Sequence, residues 1–142
     1  MNKLLFSLSV LLLCMVGCTK NDDCGEKAQL SPSKFESRSS QDKLLKIINT
    51  PKIENDCLEL MIGFSGCDNK HEIELVCNGE IAESIPVQTS FCLIDKSSQL
   101  CEAYFEKSYT FDLSELKSHF GDEPKVMMNF VDQNKSVIWE LK

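Results

Sequence analysis

The sequence predicts an all-β sandwich, and three observations carry the prediction. From Lys43 onward, short apolar stretches alternate with turn signals. In the clearest of these stretches the apolar residues recur with a period of two, as they do in a half-buried strand. Only one segment, Leu113 to Phe120, has helical spacing, which leaves little material for a second layer of helices.

The elements follow in order. Leu44 to Ile48 is a short apolar run interrupted by Pro51, an edge strand or a short helix. Glu54-Asn55-Asp56 supplies a turn. Cys57 to Phe64 alternates cleanly, placing Leu58, Leu60, Ile62 and Phe64 on one face and Cys57, Glu59 and Met61 on the other. Ser65 to Lys70 is a polar connection. His71 to Cys77 alternates again with Ile73, Leu75 and Cys77 inward, and Asn78-Gly79 marks the next turn. Ile85 to Ile94 places Ile85, Val87, Phe91 and Leu93 inward and Cys92 outward. After a polar loop from Asp95 to Gln99, Cys101 to Phe111 forms a long strand with Cys101, Ala103, Phe105, Tyr109 and Phe111 sharing one parity. Asp112 to Glu115 resembles a helix cap and Gly121 a stop, with Leu113, Leu116 and Phe120 lining one side. Lys125 to Val131 and Ser136 to Leu141 close the chain as a hairpin, with Met127 and Met128 on opposite faces. Six or seven antiparallel strands and one short helix near residues 113–120 favour an immunoglobulin-like β-sandwich, with a small barrel as the alternative. Trp139, Phe64, Phe105 and Phe111 belong to its core.

The first residues concern location. Lys3 precedes an apolar run of 13 residues, Leu4 to Val16, whereas a membrane-crossing helix needs about 20, so residues 1–17 fit a cleavable targeting segment. Met15-Val16-Gly17-Cys18 resembles the lipobox of bacterial lipoproteins, in which cleavage precedes a cysteine that becomes lipidated. That resemblance makes Cys18 the anchor and removes Cys14 with the signal. Lys20-Asn21-Asp22-Asp23 resembles the acidic export signal of surface lipoproteins in Bacteroidota. Residues 18–42, polar and nearly devoid of apolar positions, are expected to be a tether, with the sandwich occupying 43–142.

Removing 17 of the 142 residues leaves 125, the size of one domain, with a net charge near −8 once Lys3 is lost from the full-chain value of −7. Such a surface opposes binding to nucleic acid or to anionic membrane by charge. The membrane contact is expected through the lipid on Cys18. Beyond the anchor remain six cysteines, Cys24, Cys57, Cys67, Cys77, Cys92 and Cys101, an even number suited to disulfides in an oxidising compartment. Six allow fifteen pairings, and spacing does not choose among them.

Four short motifs carry a resemblance. Phe64-Ser65-Gly66-Cys67, His71-Glu72-Ile73-Glu74-Leu75, Cys101-Glu102-Ala103 and Phe111-Asp112-Leu113-Ser114 resemble the NigD-like β-sandwich lipoprotein domains of Bacteroidota. The first motif there usually reads Tyr-Ser-Gly-Gly-Cys; here Phe64 replaces the tyrosine and one glycine is missing. The resemblance spans roughly Leu44 to Leu141, implies a sandwich and a Cys67–Cys101 bond, and brings no established activity. Strand parity then offers Cys57–Cys92 across neighbouring outer faces, leaving Cys24 for Cys77.

Candidate chemistry is sparse. Cys67 and His71 are four residues apart, a spacing open to a soft metal, but the chain has only two histidines, His71 and His119, and no Cys-x-x-Cys pair. No metal or cofactor is expected, and His71 is read as a strand-start residue making a local hydrogen bond. Gly63 to Cys67 approaches a nucleophile elbow, yet Cys67 stands where the last glycine belongs, and the context is strand to loop rather than strand to helix. Glu72, Glu74, Glu102 and Glu106 fall on outward positions and read as a solvated face that also guards strand edges. The expectation is therefore a non-enzymatic module, lipid-anchored at the outer membrane with surface display or periplasmic orientation both open, binding a protein or glycan through the Ser65–Lys70 and Asp95–Gln99 loops. The alternatives are an immunity-type protein with an acidic face at Glu72 and Glu74, and a redox or metal-handling protein using Cys67, Cys77, His71 and Cys101.

Overall fold

The computed structural model describes residues 24–40, 42–97 and 101–141. The targeting segment, Cys18 and the acidic stretch to Asp23 lie outside the described residues, as does part of the Asp95–Gln99 loop. Two sheets face each other across one core, as the alternating pattern predicts. The first sheet is built on a long antiparallel pair, β5 (Cys57–Gly66) and β8 (Ala103–Asp112), registered from Cys57 opposite Asp112 to Gly66 opposite Ala103. On the far side of β5 lie two short strands, β3 (Lys46–Ile47) and β4 (Lys52–Glu54), and β1 (Glu26–Lys27) joins the end of β8. The second sheet runs β10 (Lys135–Glu140), β9 (Lys125–Phe130), β7 (Val87–Asp95), β6 (Ile73–Cys77) and β2 (Gln29–Leu30).

The inward residues of β5 are those the period-two pattern selects: Leu58, Leu60, Ile62 and Phe64 are buried and meet Leu75, Phe91, Val126, Met128 and Trp139 from the other sheet. Asn55 and Asp56, both with positive φ, form the two-residue turn from β4 into β5, a hairpin connection suited to these residue types. Asp56 then accepts a hydrogen bond from the Trp139 indole (3.0 Å) and pairs with Lys117 (2.6 Å), joining the turn to β10 and to the helix. The predicted helix is a 3-10 turn, Ser114–Leu116, running into α2 (Lys117–Phe120), with Leu113, Leu116 and Phe120 buried as the spacing requires. A first helix, α1 (Pro32–Glu36), lies in the N-terminal segment.

Four features depart from the sequence expectation. The sheets are mixed rather than antiparallel: β7 runs parallel to β9, β1 to β8 and β2 to β6. The chain visits the other sheet between β7 and β9, and that crossover permits a parallel pair. Counting the short ones, the described residues form ten strands where six or seven were expected. The described part of the expected tether, residues 24–40 and 42, is docked on the sandwich rather than free. Its short strands β1 and β2 join opposite sheets on either side of buried Ala28, and Ser31 caps α1 ahead of Pro32. Helix α1 packs against β6 and a 3-10 turn at Asp42–Leu44 against β7, so this segment roofs the outer face of the second sheet. Glu74, Val76 and Cys92, all on that face, are consequently buried, at 6%, 0% and 3% exposure. Finally, Ile85 projects into solvent, because the strand begins at Val87, after Pro86, which has no N–H for a ladder.

Candidate functional site

The two disulfides define the poles of the first sheet. Cys24 bonds Cys57 at the start of β5, with Cα atoms 5.6 Å apart, and Cys67 bonds Cys101 just beyond its end, at 4.7 Å. The pairings Cys57–Cys92 and Cys24–Cys77 are therefore corrected. Cys57 lies in the first sheet and Cys92 beneath the N-terminal roof of the second, so the two outer faces point away from each other. Cys77 faces the core, its Sγ 3.4 Å from the Thr89 hydroxyl. Both Cys77 and Cys92 are free thiols. Burial pushes the Cys92 thiol up to about 12 and raises that of Cys77 as well, the latter opposed by hydrogen bonds from Thr89 and Gly79.

At the Cys67–Cys101 pole, a buried polar cluster supports the loops. The His71 ring packs against Phe64 with centroids 4.3 Å apart and planes tilted by 34°, and its Nδ1 lies 2.5 Å from Asp95 Oδ2. The Tyr109 hydroxyl donates to the His71 carbonyl at 3.1 Å; its burial, reinforced by the negative charge of Asp95, pushes the phenol up to about 12. The Asp95 amide donates to Asp42 Oδ1 (2.9 Å), while Asp42 Oδ2 accepts from the Ser39 amide (2.6 Å). Ser97 completes the arrangement, its amide donating to Asp95 and its hydroxyl accepting from the Glu72 amide. His71 thus precedes the strand as a packed residue at 3% exposure, and its ring bonds not a local group, as expected, but the carboxylate of Asp95, 24 residues away. His119 lies elsewhere, its Nε2–H donating to the Gly79 carbonyl at 2.9 Å.

Of the four redox or metal candidates, the structure joins two to each other and buries a third in the core. Cys67 and Cys101 are consumed by their mutual bond, Cys77 sits in the core, and His71 is turned to Asp95. Among the described residues no group of three His, Cys, Asp or Glu is placed to hold a metal ion. Ser65 lies within β5 opposite Tyr104, not on a strand-to-helix turn, so the elbow geometry is missing. The acidic face is also altered: Glu74 is enclosed by Lys34 (3.0 Å), Lys96 (3.1 Å) and Gln29 (3.0 Å), while Glu72, Glu102 and Glu106 are exposed as expected.

Among the described residues, nothing roofs the outer face of the first sheet. Gly63 stands in the middle of β5 with the half-exposed Tyr104 lying across it from β8; a Cβ there would fall 2.1 Å from the Tyr104 hydroxyl and 3.0 Å from Ile48 Cδ1. The tyrosine covers the bare main chain that the glycine leaves. Sequence reasoning missed the N-terminal roof, although Ser31-Pro32, a capping residue followed by proline at the first helical position, is a readable helix start.

These features define a disulfide-braced, mixed β-sandwich with one covered and one open sheet. No family model matches the chain, and no curated protein matches it. It is similar in structure to a protein from Parabacteroides distasonis described as toxin related (TM-score 0.46, 16% identity, 81% of this chain and 60% of that one). It is also similar to a DUF1344 protein of unknown function from Bacteroides vulgatus (0.49, 17%, 83% and 58%). A third likeness is to an uncharacterised protein from Parabacteroides merdae (0.37, 10%, 80% and 63%). These are uncharacterised Bacteroidota proteins, and the chain spans about 60% of the length of each. At such scores they carry no functional argument.

Proposed function

We propose that the chain is an exported lipoprotein, held at the outer membrane through a lipid on Cys18, whose sandwich is a non-enzymatic binding module for a partner at the cell envelope. The observation that carries this reading is the placement of the two disulfides at opposite poles of β5. Disulfides persist in oxidising, exported compartments, which agrees with a targeting segment and lipobox at the N-terminus. The resemblance of Phe64–Cys67 and Cys101–Ala103 to NigD-like lipoprotein domains points the same way. Cys24 stands six positions after Cys18, a reach of at most about 20 Å. Strand β5 then rises about 30 Å. A lipid on Cys18 therefore keeps the Cys24–Cys57 pole near the bilayer and presents the Cys67–Cys101 pole, with its braced loops, to whatever lies beyond.

No helix among the described residues is long and apolar enough to cross a membrane. The reading takes Cys18 as the attachment because of the lipobox resemblance at Met15–Cys18. Mass spectrometry of the N-terminal peptide of protein purified from membranes is the test. The expected result is cleavage before Cys18 with acyl chains on that residue, and a Cys18→Ala variant that stays as unprocessed precursor. An N-terminus retaining residues 1–17, or an unmodified Cys18, overturns the anchor. Protease treatment of intact cells then separates surface display, in which the sandwich is shaved off, from periplasmic orientation, in which it is protected.

A further inference from the structure

Strand β8 has a partner along its whole length on one side only. On the other, β1 covers just Phe111 and Asp112. The Ala28 amide donates to the Asp112 carbonyl at 2.9 Å, which fixes the direction of the main chain: the Asp112 groups point away from β5. Because successive residues alternate, those of Ser108, Glu106 and Tyr104 do so too. Each of the three presents one N–H and one C=O to the edge, and among the described residues nothing pairs with them there.

Gly25 explains where the covering strand stops. Its φ is +64°, and a Cβ on it would fall 2.5 Å from the Thr110 carbonyl oxygen. Only glycine takes that position easily, and there the chain turns off the edge toward Cys57, to which Cys24 is bonded. The uncovered stretch from Ala103 to Ser108 therefore occupies the half of β8 farthest from Cys24.

We propose that this edge accepts an extended peptide segment of a partner protein as an added strand of the first sheet. The proposal deepens the binding-module reading and rests on it. The partner's chemistry follows from the side chains along the edge. Tyr104, Glu106 and Ser108 line the outer face, so a segment with a basic residue opposite Glu106 is complementary, and the chain's net charge of −7 favours the same sign. Phe105 and Tyr109 are half-buried on the inner side and suit β-branched aliphatic residues at the alternate positions. Charge argues against a second copy. Pairing β8 with itself from Tyr104 to Thr110 sets Lys107 opposite Lys107, and the neighbouring register sets Glu106 opposite Glu106, both like-charge pairs across strands.

The test uses the full-length chain in detergent and a blocked nonapeptide alternating valine with threonine and lysine, read by hydrogen exchange. Millimolar peptide is expected to slow exchange at the Tyr104, Glu106 and Ser108 amides. Glu106→Lys is expected to weaken this binding roughly three- to tenfold and to favour a glutamate-containing analogue. Ser108→Pro removes one outward N–H and is expected to weaken both peptides; should it fail to fold, Glu106→Lys still decides. Unchanged exchange with every peptide overturns the proposal. Protection that needs no peptide and grows with protein concentration also overturns it, in favour of a second copy. A lipidated Cys18 without edge protection leaves the anchor standing and removes only the edge, whereas edge protection on an unlipidated chain does the reverse.

Discussion

Glu74 shows how much a single side chain depends on what lies above it. In β6 its parity is outward, yet Lys34, Lys96 and Gln29 close over it. Burial alone would raise its carboxyl, but the hydrogen bonds from those three residues outweigh burial and hold it below the ordinary carboxylate range. A folded-state value below the unfolded one stabilises above the unfolded pKa, about 4.3, and that contribution is lost as pH falls through the folded value. Glu74→Gln is expected to cost about 1–3 kcal/mol at neutral pH. The gap between the two denaturation midpoints should close on acidification below the unfolded carboxylate range; a gap independent of pH would mean that Glu74 contributes by packing alone. Cys92 makes a second residue-level prediction. With its thiol at about 12 and the roof above it, neither it nor Cys77 should react with iodoacetamide in the native protein at mildly alkaline pH. Unfolding without reductant should then expose two reactive thiols.

Among the elements, β5 and β8 were legible because each keeps one face on the core and one in water, so burial writes itself into the sequence with period two. The hairpin of β9 and β10 was legible for the same reason, helped by positive-φ Asp132 and Asn134 at its turn. The second sheet was only half legible. Ile73, Leu75 and Cys77 gave the inner face, but Val76 and Cys92 were covered by a segment too short and polar to betray a core role of its own. Its strands have two residues each, and their hold comes from docking rather than from any pattern. The candidate site was legible at the Cys67–Cys101 pole through motif resemblance. It was not legible at the β8 edge, because an unpaired edge is a property of neighbours that fail to arrive. Gly25→Ala tests the docked segment directly: positive φ and the Thr110 carbonyl both oppose a Cβ, so a loss of about 1–3 kcal/mol is expected from denaturant melts. An unchanged midpoint would show that β1 contributes nothing to the folded state.

For the whole molecule, the two disulfides close similar stretches, with separations of 33 and 34 residues. Chain-entropy arguments give each about 3–4 kcal/mol. Together they rival the entire stability of an ordinary domain, about 5–15 kcal/mol. Reduction of the native protein should therefore lower its denaturant midpoint severely, and the Cys24→Ser/Cys57→Ser pair should show about half the effect; equal stability with and without reductant would contradict this. The two remaining thiols bear on fidelity rather than strength. Opposite Cys77 across the β6–β7 ladder stands Phe91, and opposite Cys92 stands Val76. A slip of one residue would set Cys77 directly against Cys92 on a common face. In an oxidising compartment that mistake becomes covalent, whereas the correct alignment keeps both sulfurs apart and reduced. A chain that hesitates over its register is then trapped in the wrong one, and a Cys92→Ser variant should refold with fewer dead ends than the parent.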